Sequence, residues 1–116
     1  MNAELTSSRF PYVPIRWQVG QQTHQADALL DTGFDGGIAV PPTFLEEQAA
    51  DLYQRWTLAD GRQVQAAVFR GTVQLGTFHP KPTYIVALGD EHIIGLGVLN
   101  NFTVTFDHGR RVIVSP

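Results

Sequence analysis

The residues best suited to chemistry stand in one short loop, residues 31–37, which holds two carboxylates and three glycines. The apolar run 28–30 comes directly before Asp31 and would anchor the loop in a core. A carboxylate held at the end of a buried strand can accept or donate a proton, as general acid–base catalysis requires. Asp and Gly also favour ordinary turns, so this motif alone predicts no more than a turn.

Several other chemistries are excluded by composition. The chain has no cysteine, which removes thiolate nucleophiles, disulfides and thiolate metal sites. The histidines lack ligand-like spacing, so we interpret them as surface or loop residues and expect no metal site and no cofactor; they are His24, His79, His92 and His108. We interpret Trp17 and Trp56 as core or interface side chains.

The charge balance argues against two classes of partner. The formal net charge is −3, and no basic run is longer than the pair Arg110 and Arg111. A nucleic-acid site needs a basic patch, and an acidic membrane surface would repel this chain on average. Residues 1–9 contain no apolar stretch typical of a signal peptide, so we expect a cytoplasmic protein.

The loop needs surrounding elements, and alternating apolar residues predict mostly strands. The expected strands cover residues 10–19, 26–30, 38–40, 52–58, 63–75, 83–88, 102–106 and 111–114. Helices are expected at 44–51, after the prolines at 41 and 42, and around 96–101. The polar segment 1–9 is expected to be loose or used at an interface. With 116 residues, the chain is expected to form one domain, 1–116.

Four segments, in their order along the chain, resemble parts of the retropepsin-like and pepsin-like aspartic peptidases. Residues 28–33, Ala-Leu-Leu-Asp-Thr-Gly, resemble the active-site signature, and residues 93–99, Ile-Ile-Gly-Leu-Gly-Val-Leu, resemble the second signature. A hairpin tip at residues 59–61 falls where the family has its flap, and residues 102–114 look like the closing hairpin of small bacterial members. The resemblance covers about residues 13–114, and this ordered set is more specific than a lone Asp-Thr-Gly.

The resemblance implies an all-β closed barrel with one or two short helices, equivalent to one half of a pepsin-type fold. It implies that Asp31 is the catalytic carboxylate and that Thr32 and Gly33 support it, with Gly33 allowing a tight backbone approach. The substrate-binding residues it implies are Phe34 beside the catalytic pair and, in the flap, Ala59, Asp60 and Gly61.

The chemistry of the family needs two carboxyls in contact. Like charges so close cannot both ionise, so the pair shares one proton and contains one acid and one base, as is known for aspartic peptidases. Only one Asp-Thr-Gly is present here, so the resemblance implies a homodimer with one Asp31 from each copy. The reaction implied is endopeptidase hydrolysis of an extended peptide bound as an added strand.

The sequence departs from the family pattern after Gly33, where Phe34 and Asp35 follow. We expect the bulky Phe34 to narrow the neighbouring subsite. Two alternatives stay open. One is a non-catalytic module of the same fold that binds peptides or holds a complex together. The other is a different hydrolase that pairs Asp31 with Asp35 or Asp107 within one chain, as glycoside hydrolases pair carboxylates.

Overall fold

The computed structural model describes residues 4–116 of the chain. Its strands are β1 (Leu5–Ser7), β2 (Tyr12–Val19), β3 (Gln22–Leu30), β4 (Ile38–Val40), β5 (Leu52–Thr57), β6 (Gln63–Leu75), β7 (Lys81–Ala87), β8 (Ile93–Ile94), β9 (Thr103–Asp107) and β10 (Arg111–Ser115). A single 3₁₀ turn covers Pro42–Leu45, and the short helix α1 covers Leu96–Leu99. Within residues 4–116, neither of these is long and apolar enough to cross a membrane.

Six strands close into a barrel. They follow the order β2-β3-β8-β4-β7-β6, and a further pairing of β2 with β6 completes the ring. Strand β5 adds to the free half of β6 and forms a hairpin that projects from the barrel. A separate sheet of order β1-β10-β9, here called the terminal sheet, packs beside it. The all-β closed barrel expected from the sequence is confirmed.

The alternation of apolar residues explains how the barrel is filled. In β2, Val13, Ile15, Trp17 and Val19 are all buried, and the residues between them face solvent. The short strand β4 is buried on both faces. Closure also needs a glycine, because a Cβ on Gly71 would lie 2.2 Å from the Gln18 carbonyl oxygen across the closing pair of strands.

The helix expected at 44–51 is wrong. The structure has only the 3₁₀ turn Pro42–Leu45, followed by turns up to the start of β5. Leu45 alone in that turn is buried, whereas Phe44 and both glutamates after it are exposed. A short helix needs an apolar face packed on the core, and one buried leucine does not provide it.

The N-terminal segment is more ordered than expected over part of its length. Residues 5–7 form β1, which pairs with β10, and the Ser7 hydroxyl donates a hydrogen bond to the Tyr12 carbonyl at 2.5 Å. Leu5 packs against the main core. The expectation of a loose segment is therefore wrong for these residues, and residues 1–3 lie outside the part of the chain that the structure describes.

Candidate functional site

Asp31 begins the loop at the end of β3, where β8 runs parallel to that strand. The Leu29 N–H donates to the His92 carbonyl at 2.9 Å, and the Asp31 N–H donates to the Ile94 carbonyl at 3.0 Å. Because neighbouring parallel strands end at the same edge of a sheet, the loops after Leu30 and after Ile94 emerge side by side. The two signature motifs, which are far apart in sequence, therefore meet.

Three backbone hydrogen bonds fasten the two loops together. The Gly95 N–H donates to the Gly37 carbonyl at 2.8 Å, and the Leu96 N–H donates to the Phe34 carbonyl at 2.8 Å. The Gly97 N–H donates to the Gly36 carbonyl at 3.0 Å. We call this set of three bonds the loop clamp. It fixes the path of the chain that carries Asp31.

The loop clamp depends on glycines that the sequence did not single out for close packing. A Cβ on Gly95 would lie 2.4 Å from the Gly36 carbonyl oxygen and 2.6 Å from the Phe34 carbonyl oxygen. A Cβ on Gly37 would lie 2.6 Å from the Tyr84 carbonyl oxygen. The pair Gly36-Gly37 and the motif Ile-Ile-Gly were the only signals of this packing.

Gly33 does not make the tight backbone approach expected of it. A Cβ there would meet the Asp31 Oδ1 atom at 3.1 Å and no backbone atom. The Gly33 N–H instead donates to that same Oδ1 at 2.8 Å, which fixes the rotamer of the carboxylate. Asp31 is half-buried, whereas Thr32 and Gly33 are exposed. The Asp-Thr-Gly loop therefore presents its carboxylate at an accessible surface.

A cavity of about 440 Å³ lies beside Asp31. Its walls are largely apolar and include Phe34, Trp56, Leu88 and Ile93, and the β5–β6 hairpin contributes Thr57, Leu58 and Ala59. Of the substrate-binding residues expected from the sequence, Phe34 and Ala59 line this cavity together with Asp31. The arrangement places one carboxylate at the mouth of an apolar pocket.

Asp60 and Gly61 lie at the hairpin tip and are not among the residues that line the cavity. The Arg62 Nε–H donates to Asp60 Oδ2 at 2.7 Å, and the Arg62 backbone N–H donates to Oδ1 at 3.0 Å. These bonds, the backbone bond first, hold the pKa of Asp60 below its ordinary value. The tip is thus a small charged turn closed on itself.

No protein-family model matches this sequence, and no curated protein matches it. The structure, however, resembles two solved proteases. A retropepsin-like aspartic protease from Rickettsia conorii matches 99% of this chain and 91% of its own, with a TM-score of 0.61 and 19% identity. The simian foamy virus (mac) protease matches 75% of this chain and 91% of its own, with a TM-score of 0.53 and 17% identity.

The chain has the retropepsin-like fold.

Trp56 belongs to the surroundings of Asp31, although the sequence indicated only a core or interface side chain. Its ring packs on Phe34 with centroids 5.1 Å apart, and both rings line the cavity beside Asp31. Trp56 also lines a second cavity of about 620 Å³, whose other walls include Asp35, Arg70 and Tyr84. Trp56 thus stands between the two cavities, and Phe34 faces only the one beside Asp31. An indole near a hairpin turn carries no sequence signal that separates this role from core packing.

The other candidate carboxylates are not brought to the Asp31 cavity. Asp35 lines the second cavity. Asp107 belongs to the closing hairpin, where the His108 imidazole and the Arg111 guanidinium are bonded to it and, in that order, hold its pKa below the ordinary value. Neither of these carboxylates lines the cavity beside Asp31. In residues 4–116 no three acidic or histidine side chains are grouped to hold a metal ion.

The interpretation of the histidines as surface or loop residues is wrong for His24, which is half-buried on β3, whereas His92 lies in a loop but is buried. His92 is only 9% exposed, and it and His24 both contact the partly exposed Phe44 ring, each imidazole centroid lying 5.1 Å from that ring. Trp17 stacks on His24 at 4.6 Å, and the Nε2 atoms of both histidines are buried. His92 comes just before β8, so strand pairing draws it inward.

We expect His92 to weaken the fold in acid. Its burial, and next the charge of His24, hold the pKa of His92 below the ordinary 6.5. Between that lowered pKa and 6.5 the unfolded chain binds more protons than the folded one. The free energy of unfolding therefore falls as the pH drops below 6.5, and the loss is complete below the folded pKa.

The measurement is urea unfolding at several pH values between 7.5 and 5. The His92→Phe chain should lose less stability on acidification than the wild type, whereas His79→Phe, at an exposed histidine, should lose as much. If the free energy of unfolding fell equally with pH in the wild type and in the His92→Phe chain, His92 would not be the cause of the acid sensitivity.

Proposed function

We propose that this chain is one half of a homodimeric aspartic endopeptidase in which two Asp31 carboxyls, one from each copy, activate a water molecule. The observation that carries the proposal is the placement of Asp31. Its loop is held by the loop clamp and opens onto an apolar cavity under a projecting hairpin. The retropepsin-like fold supports the same conclusion.

The chemistry follows from two carboxyls that share one proton. The ionised Asp31 removes a proton from the water molecule while the water oxygen attacks the peptide carbonyl carbon. The protonated Asp31 of the other copy gives its proton to the carbonyl oxygen, which forms a neutral tetrahedral diol. When the C–N bond breaks, one carboxyl returns a proton to the leaving nitrogen and the other removes one from the diol. Thr32 and Gly33 keep each carboxylate in position.

The peptide would lie between the barrel and the β5–β6 hairpin as an added strand. Ala59, Asp60 and Gly61 would form the flap above it, with only Ala59 facing the cavity. Phe34 and Trp56 would form one wall of a subsite, and Leu88 and Ile93 another. Such a lining favours an apolar side chain next to the cleaved bond.

The proposal is tested by incubating the purified chain with a mixed library of peptides and identifying new termini by mass spectrometry. We expect cleavage at internal bonds, with apolar residues enriched beside the cleavage point. Specific activity should rise with protein concentration until the dimer is saturated. Tight binding of library peptides with no new termini at any concentration would instead identify a peptide-binding module.

A further inference from the structure

An uncovered aromatic ring lies on the inner face of the terminal sheet. Directly paired residues of antiparallel strands point to the same face. Phe106 pairs with Val112, and Val112 pairs with Ser7. Val112 and Ser7 are buried, yet Phe106 is 49% exposed. The barrel therefore covers this face only in part and leaves its edge residue open.

A second exposed ring completes the patch. Phe10 is 36% exposed, and it meets Phe106 edge to face with centroids 5.7 Å apart. We call these two rings the phenylalanine rim. The neighbouring Arg9 is paired with Asp27, so the charge closest to Phe10 in sequence is already neutralised. Two adjoining aromatic rings left open to water form a candidate contact surface.

The rim lies at the end of β3 that carries Asp31. The Leu30 N–H donates to the Pro11 carbonyl at 3.1 Å, which places Phe10, the residue before Pro11, beside the start of the Asp-Thr-Gly loop. Thr32 and Gly33 of that loop are also exposed. The rim and the exposed loop are therefore adjacent parts of the surface.

We infer that a second copy of this chain docks on the phenylalanine rim and so brings its Asp31 to this one. The inference rests on the proposed function, because the half-site is incomplete without another Asp31. In a twofold dimer, surface close to the axis meets its own symmetry copy. Two Asp31 carboxyls in contact must lie at that axis, so the adjacent rim comes near the rim of the partner. Burial of four rings would then stabilise the dimer.

The first test measures the dimer dissociation constant by sedimentation equilibrium. We expect Phe10→Ser/Phe106→Ser to weaken the dimer by at least about tenfold, as loss of a central aromatic contact does. Tyr53→Ser is the matched control, since Tyr53 is more exposed, at 66%, and lies on β5 away from Asp31. An unchanged dissociation constant in the double variant would overturn the inference that the dimer forms through the rim, and it would leave the peptidase proposal intact.

A second test does not need any change to the rim. The chain has no cysteine, so a single introduced thiol reports one position. Under mild oxidation we expect Thr32→Cys to form a covalent dimer. Gln21→Cys should not, because Gln21 precedes the opposite end of β3, about 30 Å away for nine residues. Failure of Thr32→Cys to cross-link would overturn the inferred docking.

The two proposals fail in different ways. A wild type that stays monomeric at every concentration would overturn both the rim and the homodimeric enzyme. A dimer that depends on the rim and cross-links through position 32, yet cleaves no peptide, would keep the rim and overturn the peptidase.

Discussion

An Asp31→Asn chain is expected to fold and dimerise like the wild type and to lose peptide hydrolysis by about 10²–10⁴-fold, the usual contribution of a general acid or base. The amide is nearly isosteric with the carboxyl, and its oxygen can still accept the Gly33 N–H bond seen at 2.8 Å. It cannot hold or release the shared proton. The loss should therefore appear in turnover and not in stability.

Cleavage of the best library peptide, followed by mass spectrometry, gives the turnover, and urea unfolding gives the stability. Asp35→Asn is the matched control, because it removes a carboxylate from the same loop but from the second cavity. We expect the activity of Asp35→Asn to stay within a few-fold of wild type. Near wild-type cleavage by Asp31→Asn would end the aspartic-peptidase proposal.

Mixing the two chains asks whether the second carboxyl comes from a second copy. After wild type and Asp31→Asn are refolded together in equal amounts, random pairing leaves about one quarter of the dimers with two carboxyls. Activity per total chain should then fall to about a quarter of that of the wild type alone. If each chain used a second carboxylate of its own, the mixture would keep about half of the wild-type activity per total chain, because each wild-type copy would still be active.

Much of the barrel could be predicted because alternating apolar residues record which face of a strand is buried. The pattern located β2, and the Asp-Gly turn located the β5–β6 hairpin, whose strands pair over residues 52–57 and 63–68. The short buried strand β4 followed from its continuous apolar run. These features depend on local sequence, so one amino-acid sequence is enough to predict them.

The remaining features depend on which segments meet in space. The prolines before Phe44 predicted a helix, but Leu45 is the one buried residue of the 3₁₀ turn that forms there. His92 is the loop residue that was expected, but the pairing of the strand after it buries it beside His24 and Phe44. Trp56 faces Phe34 only because the hairpin folds back over the loop. In each case the long-range contact decided the outcome, and no short pattern encodes it.

The candidate site was predicted in part for the same reason. The position of Asp31 at the end of a buried strand follows from the sequence, and so does the neighbourhood of the second signature once the resemblance is stated. The loop clamp does not, because it joins carbonyls of residues 34–37 to amides of residues 95–97. It makes the second signature a direct support of the loop that carries Asp31.

Replacing Gly95 by alanine is expected to destabilise the fold by about 3 kcal/mol, the upper part of the usual range for overpacking. The added methyl group would lie within 2.6 Å of the Gly36 and Phe34 carbonyl oxygens and of the Phe34 Cδ2 atom. Two of these atoms belong to a backbone already held by the loop clamp. They cannot move without breaking the bonds donated by Leu96 and Gly97.

Gly109→Ala provides the control, since a Cβ there meets no atom within 4 Å, the residue has a φ of +69°, and it lies in the β9–β10 turn and not in the cavity beside Asp31. It should cost only the backbone strain of a positive φ, about 1–2 kcal/mol. Urea unfolding compares the two, and cleavage assayed under conditions where both chains are folded separates stability from site geometry. Gly95→Ala should cleave more slowly than Gly109→Ala even when folded, because relief of the clash displaces the loop that holds Asp31. If Gly95→Ala were as stable and active as Gly109→Ala, the loop clamp would not be what positions the carboxylate.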